Sequence, residues 1–276
     1  MDLSDDVVLI TGGSRGLGRA FAHALAERGA RVALTARSAD ALRRAVDELD
    51  QAAGRVLALP ADVTDPEAAV GVIEAVEAQL GPIGVLINNA GQLRAPGPIG
   101  SVDPALWWRE IEVNLRGPFL YAQGVLPRMR ARAAGRIINV ASGAGLVPMP
   151  LGSAYGVSKT ALIRLSETLA RETVGSGVSV FTIHPGVVWT SMAAYVHDSP
   201  EVAALAGPHQ QWFRALFAEG RDTPIERAVE LVVRLAWGDA DALSGWYLSV
   251  DDDLDALVRE HAAEPRADRR TLRMQM

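Results

Sequence analysis

The feature that most constrains the fold is an alternation between short apolar runs rich in β-branched residues and longer segments with helical periodicity. This alternation predicts consecutive βα units and therefore a parallel sheet. The runs are almost continuously apolar, which is typical of strands covered by helices on both faces. We therefore expect an α/β fold, a doubly wound parallel sheet of the Rossmann type flanked by helices. About seven strands are predicted, over residues 7–11, 31–36, 55–61, 85–88, 136–141, 178–184 and 245–250.

The domain organisation follows from the 276 residues, which contain no Ser/Pro-rich linker, no repeat and no change of composition before residue 250. A single α/β domain often reaches this size. We predict one dinucleotide-binding and catalytic domain over residues 1–250 and a partly helical C-terminal tail over residues 251–276. The predicted helices cover residues 17–28, 39–52, a segment opening at Pro66, 104–134 with an interruption around Gly117 and Pro118, 153–174 and 224–237.

A glycine-rich loop follows the first strand directly and leads into the first helix. Residues 11–18 read Thr-Gly-Gly-Ser-Arg-Gly-Leu-Gly. Glycines at this place permit a tight turn and let backbone N–H groups approach a pyrophosphate at the positive end of the helix. An ordinary glycine-rich turn is the alternative, but the strand–loop–helix context favours a dinucleotide. The candidate cofactor-binding residues here are Gly12, Ser14, Arg15, Gly16, Leu17 and Gly18.

The residues after the second strand bear on which dinucleotide is bound. An NAD site normally carries an acid about 20 residues past the glycines, which accepts hydrogen bonds from the adenosine ribose. Here the strand ends at Ala36, Arg37 follows, and the nearest acid is Asp40 in the next helix. Arg37 and Arg15 together suit a 2′-phosphate, although either one is equally explained as a surface charge. The missing acid favours NADP(H), with NAD(H) as the alternative.

Tyr155 and Lys159 form the most specific local pattern of the chain. Lys159 is the only lysine among the 27 basic residues, and it lies four positions after a tyrosine in a predicted helix. Residues at this spacing share one helical face. A phenol titrates near 10, so a fixed cation beside it would stabilise its phenolate form and suit it to acid/base chemistry. A solvated Tyr/Lys pair is the alternative.

At this point the sequence resembles the short-chain dehydrogenase/reductase family, in its compact single-domain branch. The resemblance covers roughly residues 5–250. It rests on the joint order and spacing of the glycine loop, the Asn88-Asn89-Ala90-Gly91 stretch, Asn114, Ser142, the Tyr155/Lys159 pair, and Pro185-Gly186 with Thr190. The chain departs from the family after its last strand, where Asp251-Asp252-Asp253 stands in place of the common Asp-Gly-Gly.

The resemblance implies a role for each matching residue. Tyr155 is expected to be the general acid/base, and Lys159 to lower the pKa of Tyr155 while holding the nicotinamide ribose. Ser142 is expected to hydrogen-bond the substrate oxygen, and Asn114 to anchor a water in a proton relay. The cofactor contacts that the resemblance adds are Asp62 and Val63 at the adenine, Asn89, Ala90 and Gly91 after the fourth strand, and Pro185, Gly186, Val188 and Thr190 around the nicotinamide.

Composition limits the other kinds of partner. The net charge of −6 argues against nucleic acid or an anionic membrane. The absence of cysteine excludes disulfides and thiolate metal sites, and the five histidines form no ligand cluster, so we expect no metal. The two long uncharged stretches, 137–158 and 173–197, are interrupted by Gly, Pro and Ser, and the N-terminus is acidic. We therefore expect a soluble cytoplasmic protein without a membrane helix or a signal peptide.

The segment 187–222 is predicted to be irregular and to form a lid over the substrate. It is rich in aromatic residues, which suits either an apolar small-molecule substrate or an ordinary packed core. The tail carries Leu254, Leu257, Val258 and His261 at helical spacing, and it either caps its own sheet or docks on a neighbour. The resemblance implies a homo-oligomer, a tetramer or a dimer, but the tail makes an interface through the last strand doubtful.

Three functions remain after these arguments. The first is an NADPH-dependent oxidoreductase that reduces a ketone or aldehyde to an alcohol, reversibly. The second is an NAD-linked alcohol dehydrogenase of the same family. The third is a binding protein that senses NADP(H) without catalysis. The complete set of Asn114, Ser142, Tyr155 and Lys159 favours an enzyme, because a sensor needs no proton donor.

Overall fold

The computed structural model describes residues 2–4, 6–49, 56–265 and 270–273. Seven parallel strands form one sheet in the order β3-β2-β1-β4-β5-β6-β7, which confirms the predicted doubly wound fold. Arg55, the first residue of the predicted third strand, lies outside the described residues. The strands are β1 Val7–Thr11, β2 Arg31–Ala36, β3 Val56–Pro60, β4 Ile83–Asn88, β5 Gly135–Val140, β6 Val178–His184 and β7 Tyr247–Ser249.

Ten α-helices cover the sheet in the described part of the chain. No helix there is both long and apolar enough to cross a bilayer. The helices are α1 Gly16–Ala26, α2 Ala39–Leu49, α3 Pro66–Gln79, α4 Pro104–Ile111, α5 Gly117–Arg132, α6 Ser153–Glu172, α7 Ser191–Asp198, α8 Pro200–Ala218, α9 Ile225–Trp237 and α10 Leu254–Ala263.

Alternate residues of the strands face opposite sides of the sheet and form two separate cores. Val8 and Ile10 of β1 face a cluster built with α1, α2, α9 and α10. Val7 and Leu9 face a second cluster built with α3 and α5. Because both faces are covered, each strand is apolar throughout, as the sequence pattern indicated.

The strand order places the functional residues. The strand order changes direction at β1, because β2 and β3 are added on one side of it and β4 to β7 on the other. Loops that leave the carboxyl ends of β1 and β4 diverge and open a crevice, which is the usual ligand site of a doubly wound sheet. The glycine loop, the segment after Asn88 and the segment after Val140 all leave this edge.

The break predicted near Gly117 and Pro118 lies earlier in the structure. Residues 112–116 form a π-helical turn between α4 and α5, and this turn contains Asn114. Pro118 stands in the first turn of α5, where its missing N–H is not needed. π-Turns inside helices often occur at functional sites because they redirect a side chain.

The prediction of an irregular segment over 187–222 is wrong for most of its length. The structure has α7 and α8 there, separated by Ser199, and α8 is kinked at Ala206. The prolines that suggested an irregular segment are compatible with helix. Pro200 occupies the first turn of α8 behind the capping residue Ser199, and Pro208 follows the kink.

The described part of the tail packs on its own subunit. Leu254 and Leu257 of α10 are buried in the cluster shared with α1 and α9. Further along, the carbonyl oxygen of Arg270 accepts a 3.0 Å hydrogen bond from the N–H of Tyr247 in β7. Residues 270–273 therefore lie beside the last strand. The homo-oligomer expected from the resemblance stays a prediction.

Candidate active site

The glycine loop forms a bare cradle before α1. Gly12 has φ +66°, and a Cβ on it would lie 2.8 Å from the Cα of Ala90. A Cβ on Gly18 would lie 2.4 Å from the carbonyl oxygen of Gly12. Side chains are therefore excluded at both positions, and the backbone N–H groups at the start of α1 remain accessible to an anion.

The segment after β4 is tied to this loop by Thr11, a residue that the sequence analysis left without a role. Its hydroxyl oxygen accepts hydrogen bonds of 3.1 Å from the N–H groups of Asn89 and Ala90. The Asn89 side chain donates in return to the carbonyl oxygens of Thr11 and Gly12. The predicted cofactor residues of these two loops therefore form one rigid edge.

Ser142 and Tyr155 meet above the end of β5. Ser142 begins a short 3₁₀ turn, and its Oγ accepts a hydrogen bond from the N–H of Ala144 at 3.2 Å. Tyr155 lies in the first turn of α6, where its phenol is close enough to the Ser142 hydroxyl for that group to oppose the rise of its pKa. His184 supports the turn from below, since its Nδ1 accepts a hydrogen bond from the N–H of Gly143 at 3.2 Å.

Lys159 lies one helical turn below Tyr155 and is buried, with 3% of its surface exposed. Its Nζ donates a 2.8 Å hydrogen bond to the carbonyl oxygen of Val140 and lies 5.6 Å from the centre of the Tyr155 ring. A Cβ on Gly91 would lie 3.7 Å from Nζ. The ammonium group of the chain's single lysine is therefore held between β5, α6 and the loop after β4.

Asn114 links the loop after β4 to α6. Its Oδ1 accepts a hydrogen bond from the N–H of Gln92 at 2.8 Å, and its Nδ2 donates to the carbonyl oxygen of Gln92 and to Ser158 Oγ. Ser158 in turn donates to the carbonyl oxygen of Tyr155 at 2.8 Å. The water-anchoring role implied for Asn114 stays a prediction. In the structure, the Asn114 side chain fixes the backbone of Tyr155 through Ser158.

Burial dominates the protonation equilibria of this group. It raises the pKa of Tyr155 to about 12, with a further rise from the charge of Glu110 and an opposing effect of the Ser142 hydrogen bond. The lowering of this pKa that the resemblance implies for Lys159 stays a prediction. Burial also lowers the pKa of Lys159 to about 8, against the charge of Glu110. At neutral pH the phenol therefore carries its proton and the ammonium remains mostly charged.

Of the residues predicted for the adenosine half, Arg15, Arg37 and Asp62 are more exposed than the catalytic group, whereas Val63 is buried. Arg15 and Arg37 are both exposed, and neither has a partner among the described residues. Asp62 is already engaged, because its carboxylate accepts hydrogen bonds from Thr64 and pairs with Arg109. Burial opposes the ionisation of Asp62, but these contacts outweigh it and lower the pKa.

The loop after β6 borders the site and contacts the glycine loop. A Cβ on Gly16 would lie 3.4 Å from Cγ2 of Thr190, so the two loops touch. The Thr190 side chain also caps α7 by accepting a hydrogen bond from the N–H of Ala193. Pro185, Gly186 and Val188 precede this contact, and Val188 is buried. Val63 is also buried, against Gly117 at the start of α5.

The Tyr155 side chain packs against an apolar cluster, which we call the Tyr155 cluster. It joins the loop after β4 to α7 and α8, so the aromatic segment does reach the candidate site. Its buried members are Leu93, Val196, Val202 and Ala206, and its half-buried members are Met149, Leu151, Tyr155, Met192, Tyr195 and Phe213.

Glu110, Ser158, His184 and Thr11 contact the site but were not predicted as functional residues. Glu110 carried a signal in the sequence, since it is an acid one turn before Asn114, yet only the fold reveals its burial. The other three are common residue types at unremarkable positions. Across residues 2–4, 6–49, 56–265 and 270–273, no three His, Asp or Glu side chains are grouped to hold a metal ion.

Comparison with known proteins agrees with this geometry. Residues 6–201 match the family model of short chain dehydrogenases. A short chain dehydrogenase of Pseudocercospora fijiensis is 39% identical over 194 residues, which are 70% of this chain and 62% of that protein. This chain therefore spans less than two thirds of that relative's length.

Two solved structures resemble the fold closely. An NAD⁺-bound xylitol dehydrogenase has a TM-score of 0.82 at 28% identity and covers 90% of this chain and 98% of its own. A variant of an actinorhodin polyketide ketoreductase with NADPH has a TM-score of 0.82 at 29% identity, over 91% and 95% of the two chains. The glycine cradle, the Ser142/Tyr155/Lys159 group and the family match together place this chain in the short-chain dehydrogenase/reductase family of oxidoreductases, which bind a nicotinamide cofactor.

Proposed function

We propose that this protein is an NADPH-dependent oxidoreductase that reduces a ketone or aldehyde to an alcohol, reversibly. The observation that carries the proposal is a phenol, Tyr155, whose ring centre lies 5.6 Å from the buried ammonium group of Lys159 and which packs against an apolar cluster. Carbonyl reduction needs a hydride, a proton donor and a group that polarises the carbonyl. Bound nicotinamide supplies the hydride.

Tyr155 acts as the proton donor. Because its pKa lies well above neutral, the phenol is protonated at physiological pH and transfers its proton to the oxygen that becomes the alkoxide. Ser142 donates a hydrogen bond to the same oxygen, which stabilises the developing negative charge. In the reverse direction the phenol must lose its proton first, which the high pKa disfavours at neutral pH.

Lys159 stabilises the phenolate that remains after proton transfer. Its ammonium group is held by the carbonyl oxygen of Val140, so its position is fixed before any substrate arrives. An opposite charge beside a tyrosine favours the ionised form, and its effect is larger away from water. Lys159 therefore limits the cost of leaving a charge on a buried phenol.

The residues of the crevice fit a dinucleotide that carries a 2′-phosphate on its adenosine ribose. Gly12 and Gly18 leave space for a pyrophosphate at the N-terminus of α1. Arg15 and Arg37 would hold a 2′-phosphate, which supports NADP(H) because both guanidinium groups lack a partner in the described structure and β2 ends without an acid. Asp62, which pairs with Arg109, and Val63 would contact the adenine.

The substrate class follows from the Tyr155 cluster. The side chains beside the phenol are aliphatic, aromatic or thioether groups, contributed mainly by α7, α8 and the loop after β4. Such a lining favours an apolar small-molecule carbonyl compound.

The test is a screen of the purified protein with NADPH and with NADH against a panel of aliphatic, aromatic and cyclic ketones and aldehydes. We expect oxidation of NADPH, followed at 340 nm, with an apolar member of the panel and a lower kcat/KM with NADH. Turnover with NADH alone would favour the NAD-linked dehydrogenase. Tight NADPH binding with no turnover across the panel would favour the sensing protein.

A further inference from the structure

Glu110 is a buried acid that the mechanism above does not use. Only 1% of its surface is exposed, although it lies on α4 among exposed residues. An ionisable carboxyl group is rarely buried unless specific hydrogen bonds compensate its lost hydration. The hydrogen-bond partners of Glu110 therefore indicate its role.

The partners are backbone groups of the segment after β4. Oε2 of Glu110 accepts hydrogen bonds from the N–H groups of Arg94 at 2.5 Å and Ala95 at 2.9 Å. Asn114, four residues later, holds Gln92 through both its N–H and its carbonyl oxygen. Two side chains one turn apart thus anchor the segment 92–95 to the start of the α4–α5 region.

The same face of α4 is fixed on the catalytic helix. Trp107 Nε1 donates a 3.0 Å hydrogen bond to Ser153 Oγ at the start of α6, and Asn114 donates to Ser158 within it. Trp107 and Asn114 therefore fix this region on the helix that carries Tyr155 and Lys159. Through Glu110 and Asn114, the segment 92–95 is held in place relative to the same helix.

The anchored segment contacts the substrate side of the site. Leu93 is buried in the Tyr155 cluster. The guanidinium group of Arg94 lies over the ring of Tyr195 on α7, with its Cζ 3.7 Å from the ring centre. The segment 92–95 therefore borders the phenol on one side and α7 on the other, where the carbonyl substrate of the proposed function would bind.

We propose that Glu110 is a positioning residue of the active site, whose carboxylate anchors the segment 92–95 and so sets the shape of the substrate pocket through Leu93. This inference rests on the proposed function. The Glu110 carboxylate makes no hydrogen bond to Tyr155 or Lys159, although its charge raises the pKa of both, so its effect on the shape of the pocket passes through the segment. Substrate binding is therefore expected to depend on Glu110 more than cofactor binding does.

The principal test is Glu110→Gln, which keeps the shape of the side chain but removes its charge. Bonds to a charged acceptor are about twice as strong as bonds to a neutral one, so the KM for the fastest ketone or aldehyde of the panel should rise roughly tenfold. The Kd for NADPH should stay within about twofold, as for a distant site. Glu110→Ala should raise the KM further if it folds.

The matched control is Glu167→Gln. Glu167 is another buried carboxylate that accepts a backbone N–H, from Leu272, but it lies on α6 beside the C-terminal segment. The control is expected to leave the KM unchanged. An equal rise of the KM in both variants, or no rise in Glu110→Gln, would overturn the inference.

A pH profile gives a readout that general destabilisation does not reproduce. Burial raises the pKa of Glu110 to about 7, against the two backbone hydrogen bonds and the charge of Lys159. The titratable groups facing it are Lys159 and Tyr155 on α6. Below pH 7 Glu110 gains a proton and its anchoring weakens, so kcat/KM of the native enzyme should fall there. Glu110→Gln should lose this acid limb.

His184 also contacts the site, but burial lowers its pKa below the usual histidine value. Its titration therefore lies on the acid side of that of Glu110.

Failure of the proposed function can be told apart from failure of this inference. Hydrogen exchange of the Arg94 and Ala95 amides needs no turnover, and both amides should exchange faster in Glu110→Gln than in the native protein and the Glu167→Gln control. An inactive native protein with this exchange difference would refute the reductase and retain the anchoring role. Unchanged exchange would refute the anchoring role whatever the activity.

Discussion

The two halves of the crevice differ in how far the protein itself fixes the functional side chains. At the catalytic half, Lys159 and Asn114 are buried and every contact is made within the chain. At the adenosine half, Arg15 and Arg37 are exposed and have no partner in the described structure. The catalytic half is therefore organised before a ligand binds, whereas the side chains of the two arginines are not held by other groups of the described structure.

This difference predicts different responses to substitution. A pre-organised group loses its function when its shape or its proton changes, even if its charge is kept. A flexible exposed charge is sensitive to its sign and much less to its shape. The following three experiments sharpen or break this comparison.

Tyr155→Phe tests the proton donor and has the largest expected effect. Removal of a general acid typically costs about 10²–10⁴-fold in turnover, while the aromatic ring remains to fill the site. We expect kcat to fall by that factor and the Kd for NADPH to be kept. Steady-state rates and fluorescence titration measure the two quantities.

The control for this experiment is Tyr121→Phe, another buried tyrosine, which lies on α5 outside the site. It should keep native rates. Activity of Tyr155→Phe within a factor of about three of the native value would show that Tyr155 is not the acid.

Lys159→Arg tests whether shape matters where charge is preserved. Arginine occupies 26 of the 27 basic positions, yet the basic residue that is buried in the described part of the chain is lysine. A guanidinium group is wider than an ammonium group and directs its donors differently, and overpacking a buried site costs about 1–3 kcal/mol. We expect a loss of roughly 10–100-fold in kcat and weaker NADPH binding, with thermal unfolding measured to exclude misfolding.

Arg43→Lys is the matched exchange at an exposed position of α2, and it should leave kcat and stability unchanged. Near-native rates in a folded Lys159→Arg enzyme would mean that charge alone is sufficient at this buried position. The contrast between the two halves would then disappear.

Arg37→Asp tests the exposed half and has the smallest expected effect. A charge-assisted hydrogen bond contributes about 1.5–3 kcal/mol, so the native enzyme should prefer NADPH over NADH by at least about tenfold in kcat/KM. The substitution should abolish or reverse this preference while kcat is retained. Arg130→Asp, an exposed arginine on α5, is the control and should keep the preference. Equal kcat/KM for the two cofactors in the native enzyme would contradict the argument.

Local features of the site could be read directly from the sequence. The spacing of Tyr155 and Lys159 puts them on one helical face in any α-helix, and the glycine loop needs only its strand and its helix. The missing acid after β2 is likewise visible in the printed residues. None of these features depends on which helices and strands pack against each other.

Features that depend on distant segments could not be read in this way. Gly and Pro after residue 187 suggested an irregular segment, but Ser199 and Pro200 begin a helix because α7 and α8 pack on the Tyr155 cluster. The π-turn at Asn114 depends on Gln92 and Ser158, which lie 22 and 44 residues away. No local pattern contains those partners.

The sequence by itself determined the parallel sheet, the order of its loops and the common helical face of Tyr155 and Lys159, because each follows from hydrophobic periodicity or from spacing within one element. The tertiary structure alone decided the burial of Tyr155 and Glu110 and the docking of the tail. Desolvation and long-range charge depend on which segments meet in space. Burial therefore raises the pKa of Tyr155 to about 12, an effect that the spacing of Tyr155 and Lys159 along the chain does not contain.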